Sequence, residues 1–161
     1  NKLHNQMKFK ILTASFFLFI ITACGYNVVD QNYSKKINII ETNISGDKRI
    51  AYLIRNKFFK SDKINDKSVK LDLVVKKIKQ IEEKNINNEI TKYKVIISVK
   101  VNFYLIKDNK SDEFLVSENG IYNVSERYSE TLNSEKTLIK NIVNSISDRI
   151  IKNLITKIDE L

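Results

Sequence analysis

Few residues in this chain could perform covalent or metal chemistry. Among its 161 residues there is one cysteine, Cys24, and one histidine, His4. Cys24 closes an apolar run, "FIITACGYN", where a lone cysteine has three readings: a buried core thiol, a catalytic nucleophile or a point of lipid attachment. His4 precedes Met7, the expected start, so a chain beginning there has no imidazole to act as base or ligand. No mature His/Cys set then remains for zinc, and no glycine-rich loop is present to cradle a phosphate. The carboxylates Glu82, Glu83 and Glu89 fall in a polar stretch. They read as solvated charge, because an acid–base pair needs a pocket that perturbs its pKa values. No catalytic residue, metal or cofactor is expected, and the chain reads as a binding or structural protein, not an enzyme.

The segment around Cys24 chooses between its three readings. "MKFKILTASFFLFIITAC" has the layout of an export signal, with Lys8 and Lys10 ahead of an apolar run from Ile11 to Ile21. That run is shorter than the roughly 20 apolar residues a membrane-spanning helix needs. Ile21-Thr22-Ala23-Cys24 resembles the bacterial lipobox. The resemblance implies diacylglycerol in thioether linkage to Cys24, cleavage before it and acylation of the new N-terminus. Residues 1–23 are therefore expected to be a signal peptide, with residues 1–6 upstream of the true start. Residues 24–36 would form the lipidated N-terminus and tether, and residues 37–161 the folded domain. Each buried acyl CH₂ contributes about 0.8 kcal/mol, so several chains hold a protein on a bilayer.

The charge balance is compatible with this reading. The chain has 28 Lys and Arg against 19 Asp and Glu, a net charge of +9. Loss of Lys2, Lys8 and Lys10 with the signal peptide brings the net to +6. A basic surface could suit nucleic acid, but export separates the two. The lysines interleaved with aromatics in "KYKVIISVKVNFYLIK" are explained by strand alternation, so no nucleic-acid partner is expected.

The elements behind the tether follow from periodicity. "KINIIETNIS" reads as a short strand. Gly46 and Asp47 then signal a turn and helix N-cap, and Ile50, Leu53, Ile54 and Phe58 recur at helical spacing toward an end near Lys60 to Asp62. In "SVKLDLVVKKIKQI", Val69, Leu71, Leu73 and Val75 share one face. In "ITKYKVIISVKVNFYLIKD", Val95, Ile97, Val99, Val101, Phe103 and Leu105 do the same, as in half-buried antiparallel strands. Residues 82–89 and 107–113 read as polar connections. A fourth strand, "FLVSENGIYNVS", carries Gly120 inside it, which suggests a bulge or bend. A last helix is expected to open at Ser134–Glu135, with its stripe from Leu138 to Ile158. The order β-α-β-β-β-α predicts an α+β two-layer sandwich: a four-stranded, mainly antiparallel sheet with two helices on one face and the other face wet.

This arrangement is similar to that of the LPS-assembly lipoproteins, the LptE family. The resemblance rests on "CGY" at the lipobox cysteine, the helix "DKRIAYLIRNKF" and the pair "ITKYKVIISVKVNFYLIKD…SENGIYNVSERYS". It covers the mature chain, which departs from the family in having no proline after the cysteine. It implies a lipid anchor in the inner leaflet of the outer membrane, on the periplasmic face, and Gly25 after the cysteine suits that sorting. It also implies a non-enzymatic role: plugging the large β-barrel translocon LptD, assisting its assembly and delivering lipopolysaccharide to the outer leaflet. A plug must meet a polar barrel interior, and lipid A phosphates need cationic partners. The expected phosphate-binding candidates are Lys92 and Lys94 at the start of the long strand, Lys100 further along its face, and Arg127 and Lys136 flanking the loop before the last helix. The alternative for each is an ordinary solvated charge in a lysine-rich chain. Two other functions stay open: a periplasm-facing lipoprotein adaptor of another envelope assembly or transport complex, and an envelope hydrolase or ligand binder, which would need a pocket of converging polar groups.

Overall fold

A computed structural model describes residues 37–58 and 68–161. Cys24 and the segments expected to form the signal peptide and tether lie outside the described residues. The first element is strand β1, Asn38–Gly46. Gly46 has a φ of +82°, and a Cβ there would lie 2.0 Å from the Val75 carbonyl oxygen, so the turn accepts only glycine. Asp47 follows as the N-cap. Its Oδ1 accepts from the Ile50 N–H at 3.1 Å, and its carbonyl accepts from the Ala51 N–H at 2.9 Å. Helix α1, Lys48–Phe58, buries Ile50, Ala51, Ile54 and Phe58. Leu53 falls off that stripe and is exposed, one position out of phase with it. The expected helix end at Lys60 to Asp62 is outside the described residues.

Three long strands form the rest of the sheet: β2 (Ser68–Lys84), β3 (Ile90–Leu105) and β4 (Lys110–Asn123). The sheet order is β1-β2-β3-β4. β1 runs parallel to β2, with α1 as the crossover, and the other neighbours are antiparallel. Strand alternation sorts the side chains as expected. Val69, Leu71, Leu73 and Val75 of β2, and Val95, Ile97, Val99, Val101, Phe103 and Leu105 of β3, are at most 2% exposed. The second helix, α2 (Tyr128–Glu160), lays Ile142, Val143, Ile146, Ile150, Leu154 and Ile158 on the same face. At 33 residues it is about 50 Å long. The fold is thus the expected α+β arrangement with its core on one side of the sheet.

Three boundaries differ from expectation, each for a physical reason. Glu82 and Glu83 belong to β2, not to a loop. Glu83 pairs across the hairpin with Lys92 at 2.5 Å and accepts from the Thr91 hydroxyl at 3.1 Å, so polar pairs prolong the ladder. The turn is confined to Asn85–Glu89, closed by the Asn85 N–H on the Glu89 carbonyl at 2.9 Å and by Asn88 at a φ of 66°. Likewise β4 starts at Lys110, within the expected connection, and Asn109 takes the left-handed turn position at 54°. Helix α2 begins at Tyr128, ahead of Ser134, and its N-cap Arg127 gives no side-chain cap. Its first turn is held instead by Thr131, whose hydroxyl accepts from the Ser125 N–H at 2.9 Å and donates to the Ser125 carbonyl at 3.3 Å.

Gly120 marks no bulge, since β4 pairs with β3 in unbroken register. A Cβ there would lie 2.5 Å from Leu138 Cδ1, so this glycine serves the close approach of α2.

Candidate functional site

With both helices on one side, the opposite face of the sheet is open. Cross-strand register arranges it in rows: Val74–Lys100–Leu115, then Lys76–Ser98–Ser117, Ile78–Ile96–Asn119 and Gln80–Lys94–Ile121. Lysines and aliphatic side chains are therefore interleaved. Leu115 is 66% exposed, Ile121 47%, Val74 44% and Ile78 39%. The Ser98 and Ser117 hydroxyls meet at 3.0 Å in the middle. This face is less wet than the alternation alone implies. Sequence reasoning missed it because "LVV" and "VII" were assigned to the core strand by their stronger phase, although one member of each must point the other way.

The expected cationic residues are distributed unevenly. Lys92, Lys94 and Lys100 share the open face of β3, and Lys92 and Lys94 are about 7 Å apart along the strand. Lys92 is engaged with Glu83 at 2.5 Å, and Lys100 with Glu113 at 2.7 Å. The hydrogen bond from Lys92 holds the Glu83 carboxyl below its ordinary value. Lys94 has no ion-pair partner among the described residues, and Lys76, which was not singled out from the sequence, has none either. Arg127 and Lys136 do not flank a loop. Arg127 is the N-cap of α2, 3.6 Å from Glu130, and Lys136 is an exposed residue within the helix. Both belong to α2, whose buried stripe packs on the other face of the sheet from Lys92, Lys94 and Lys100.

The sheet is held to α2 by a compact polar cluster on the helix side. Lys79 Nζ donates to Glu135 Oε2 at 2.8 Å, and the Tyr122 hydroxyl donates to the same oxygen at 2.8 Å. Lys79 also lies 4.3 Å from the Tyr93 ring centroid and 5.2 Å from that of Tyr122. Burial pushes the Glu135 carboxyl up, but the hydrogen bonds from Lys79 and Tyr122 outweigh it and leave the group below its ordinary value. For Lys79, burial pulls downward and Glu135 outweighs it, so the ammonium is held above its ordinary value. This cluster positions α2 and leaves the open face unobstructed.

One recess of about 280 Å³ opens beside the lysine rows, lined by Glu41, Asn43, Lys70, Asp72, Asn102 and Tyr104 among others. Most of its charged groups are paired with one another, whereas Asn102 Oδ1 is buried there without a hydrogen-bond partner among the described residues. Lys70 pairs with Glu41 at 2.8 Å, and Asn43 Nδ2 donates to Asp72 Oδ1 at 2.9 Å. No group of three or more potential metal ligands occurs among the described residues. Among those residues, too, no helix is long and apolar enough to cross a membrane.

No known family model matches the chain, and no curated protein matches it in sequence. Solved structures, however, share its fold. It is similar to rare lipoprotein B from Shewanella oneidensis, with a TM-score of 0.57 and 13% identity over 74% of this chain and 97% of that one. It is also similar to a lipoprotein of Caulobacter crescentus CB15, with a TM-score of 0.54 and 12% identity over 78% of this chain and 91% of that one. At such identities the likeness is one of fold. The class is the rare-lipoprotein-B type of α+β sandwich, which is the fold that the LptE resemblance implies.

Proposed function

We propose that this chain is a non-enzymatic outer-membrane lipoprotein, anchored through Cys24, that occupies and helps to assemble an LptD-type β-barrel and presents its open sheet face to lipopolysaccharide. The observation that carries the reading is that open face, on a fold shared with lipoproteins. Lys94 and Lys76, without an ion-pair partner among the described residues, stand among Ile78, Ile96, Ile121 and Leu115, and a phosphorylated amphiphile needs cations and aliphatic contacts side by side. Lys92 and Lys100 would contribute after exchanging their carboxylate partners for phosphate. The polar positions of the same face suit the polar lumen of a barrel.

The experiment is purification of the lipidated protein from detergent-extracted membranes. The reading expects a large outer-membrane β-barrel in stable complex with it. Recovery of the lipoprotein alone would contradict it, and recovery with a different envelope complex would favour the adaptor function. The anchor has its own test: Cys24→Ala is expected to leave the precursor uncleaved and unlabelled by radioactive palmitate.

A further inference from the structure

β2 has two unlike halves along its outer edge. From Ser68 to Val75 that edge is paired with β1. At Gly46 and Asp47 β1 turns away into α1, and from Lys76 to Lys84 no strand among the described residues takes its place. The orientation of the exposed main chain follows from one hydrogen bond. The Asp47 N–H donates to the Val75 carbonyl at 2.9 Å, so the Val75 main chain faces the β1 side. In an antiparallel ladder both main-chain groups of a residue point the same way, and alternate residues point oppositely. The N–H and C=O of Lys77, Lys79 and Ile81 therefore also face the vacated side, up to the register shift after Ile81. On the other outer edge, that of β4, Arg149 Nη1 of α2 covers one point, bonding the Ser117 carbonyl at 3.0 Å and Glu118 Oε2 at 2.8 Å.

We infer that this vacated half-edge of β2 is a docking slot for an extended segment of a partner protein, added as a fifth strand and carrying acidic side chains. The slot supplies a row of main-chain donors and acceptors, the basis of strand addition. Its flanks set the side-chain chemistry. Lys76, without an ion-pair partner among the described residues, lies on the open face, and Lys77 lies on the helix face. Ile78 and Ile81 are half-exposed beside the same edge, on opposite faces. The complementary strand carries carboxylates where it passes the two lysines and aliphatic side chains where it passes the isoleucines. A second copy would be charge-matched only in the antiparallel registers that set Lys76 and Lys77 against Glu82 and Glu83 of its mate, and the dependence of protection on protein concentration separates it from a partner strand. The inference does not rest on the barrel or lipopolysaccharide reading, and either can fail without the other.

The test uses the full lipidated chain in detergent micelles and a probe peptide of alternating glutamate and valine. Amide hydrogen exchange in segment 76–82 is expected to slow when the peptide is added. Lys77→Pro removes an outward-facing N–H without touching the β3 ladder, so the variant should stay folded by circular dichroism and bind about tenfold more weakly. Should that variant unfold, the Lys76→Glu/Lys77→Glu double variant carries the test: it should lose the glutamate peptide and gain a lysine–valine peptide. Four results would overturn the inference. They are equal binding by folded Lys77→Pro, equal binding of both peptides to the unaltered chain, protection elsewhere or nowhere at millimolar peptide, and concentration-dependent protection of 76–82 without peptide, which would assign the slot to a second copy.

Discussion

The two faces of the sheet are made by the same strands yet differ in what they carry. On the helix face, β2 as far as Val75 and β3 from Val95 bury an aliphatic and aromatic set beneath α1 and α2. Lys77 and Lys79 continue that face of β2 as its polar end. On the open face the same strands interleave Lys76, Lys94 and Lys100 with Val74, Ile78 and Ile96. A period of two makes the division almost free of compromise, since each residue belongs wholly to one face. Stability therefore concentrates on one side, and the other is free for the recognition we propose.

Substitutions that respect or cross this division should rank accordingly. The largest effect is expected from Phe103→Ala on the helix face, where the side chain is 2% exposed and packs near Phe114. It should cost about 3–5 kcal/mol in chemical denaturation. Gly120→Val should follow at about 1–3 kcal/mol, because the new side chain meets Leu138 where a Cβ alone would already lie at 2.5 Å. Equal stability of that variant would mean that α2 can lift from β4.

Glu135→Gln comes next, at about 1 kcal/mol at neutral pH, a value kept small because Lys79 reaches solvent. Its sign is set by linkage. The Glu135 carboxyl is depressed in the folded chain, so its contribution is fully present above the ordinary value of 4.5 and is lost as pH falls through the lower folded value. The gap in melting temperature between the parent and the Gln variant should therefore close in acid; a gap independent of pH would remove the ion pair from the account. The smallest effect is expected from Leu115→Ala on the open face, within about 0.5 kcal/mol. A loss comparable to Phe103→Ala would erase the distinction between the faces.

How far the sequence discloses this design depends on where its signals are local. The alternation in β2 and β3 and the Gly46–Asp47 cap are local, and both elements appear where they were expected. The start of α2 was not legible, because Arg127 caps nothing and Thr131 acts through Ser125, a contact defined only once the loop is folded. The role of Gly120 likewise depends on Leu138, a residue distant in sequence. For the site, the shared face of Lys92, Lys94 and Lys100 could be read from spacing. That Glu83 and Glu113 already hold two of them depends on cross-strand register, as does the company that Lys94 keeps with Ile121.

The central claim is that recognition belongs to the open face, and charge reversal tests it most directly. Two double variants of the full lipidated protein differ only in the face they alter: Lys76→Glu with Lys94→Glu on the sheet, and Lys140→Glu with Lys152→Glu on the exposed side of α2. Binding of purified lipopolysaccharide is measured for both at fixed ionic strength, since the interaction is screened by salt. The account predicts that the sheet variant loses binding while the helix variant keeps it. Equal loss in both, or loss in the helix variant alone, would contradict it.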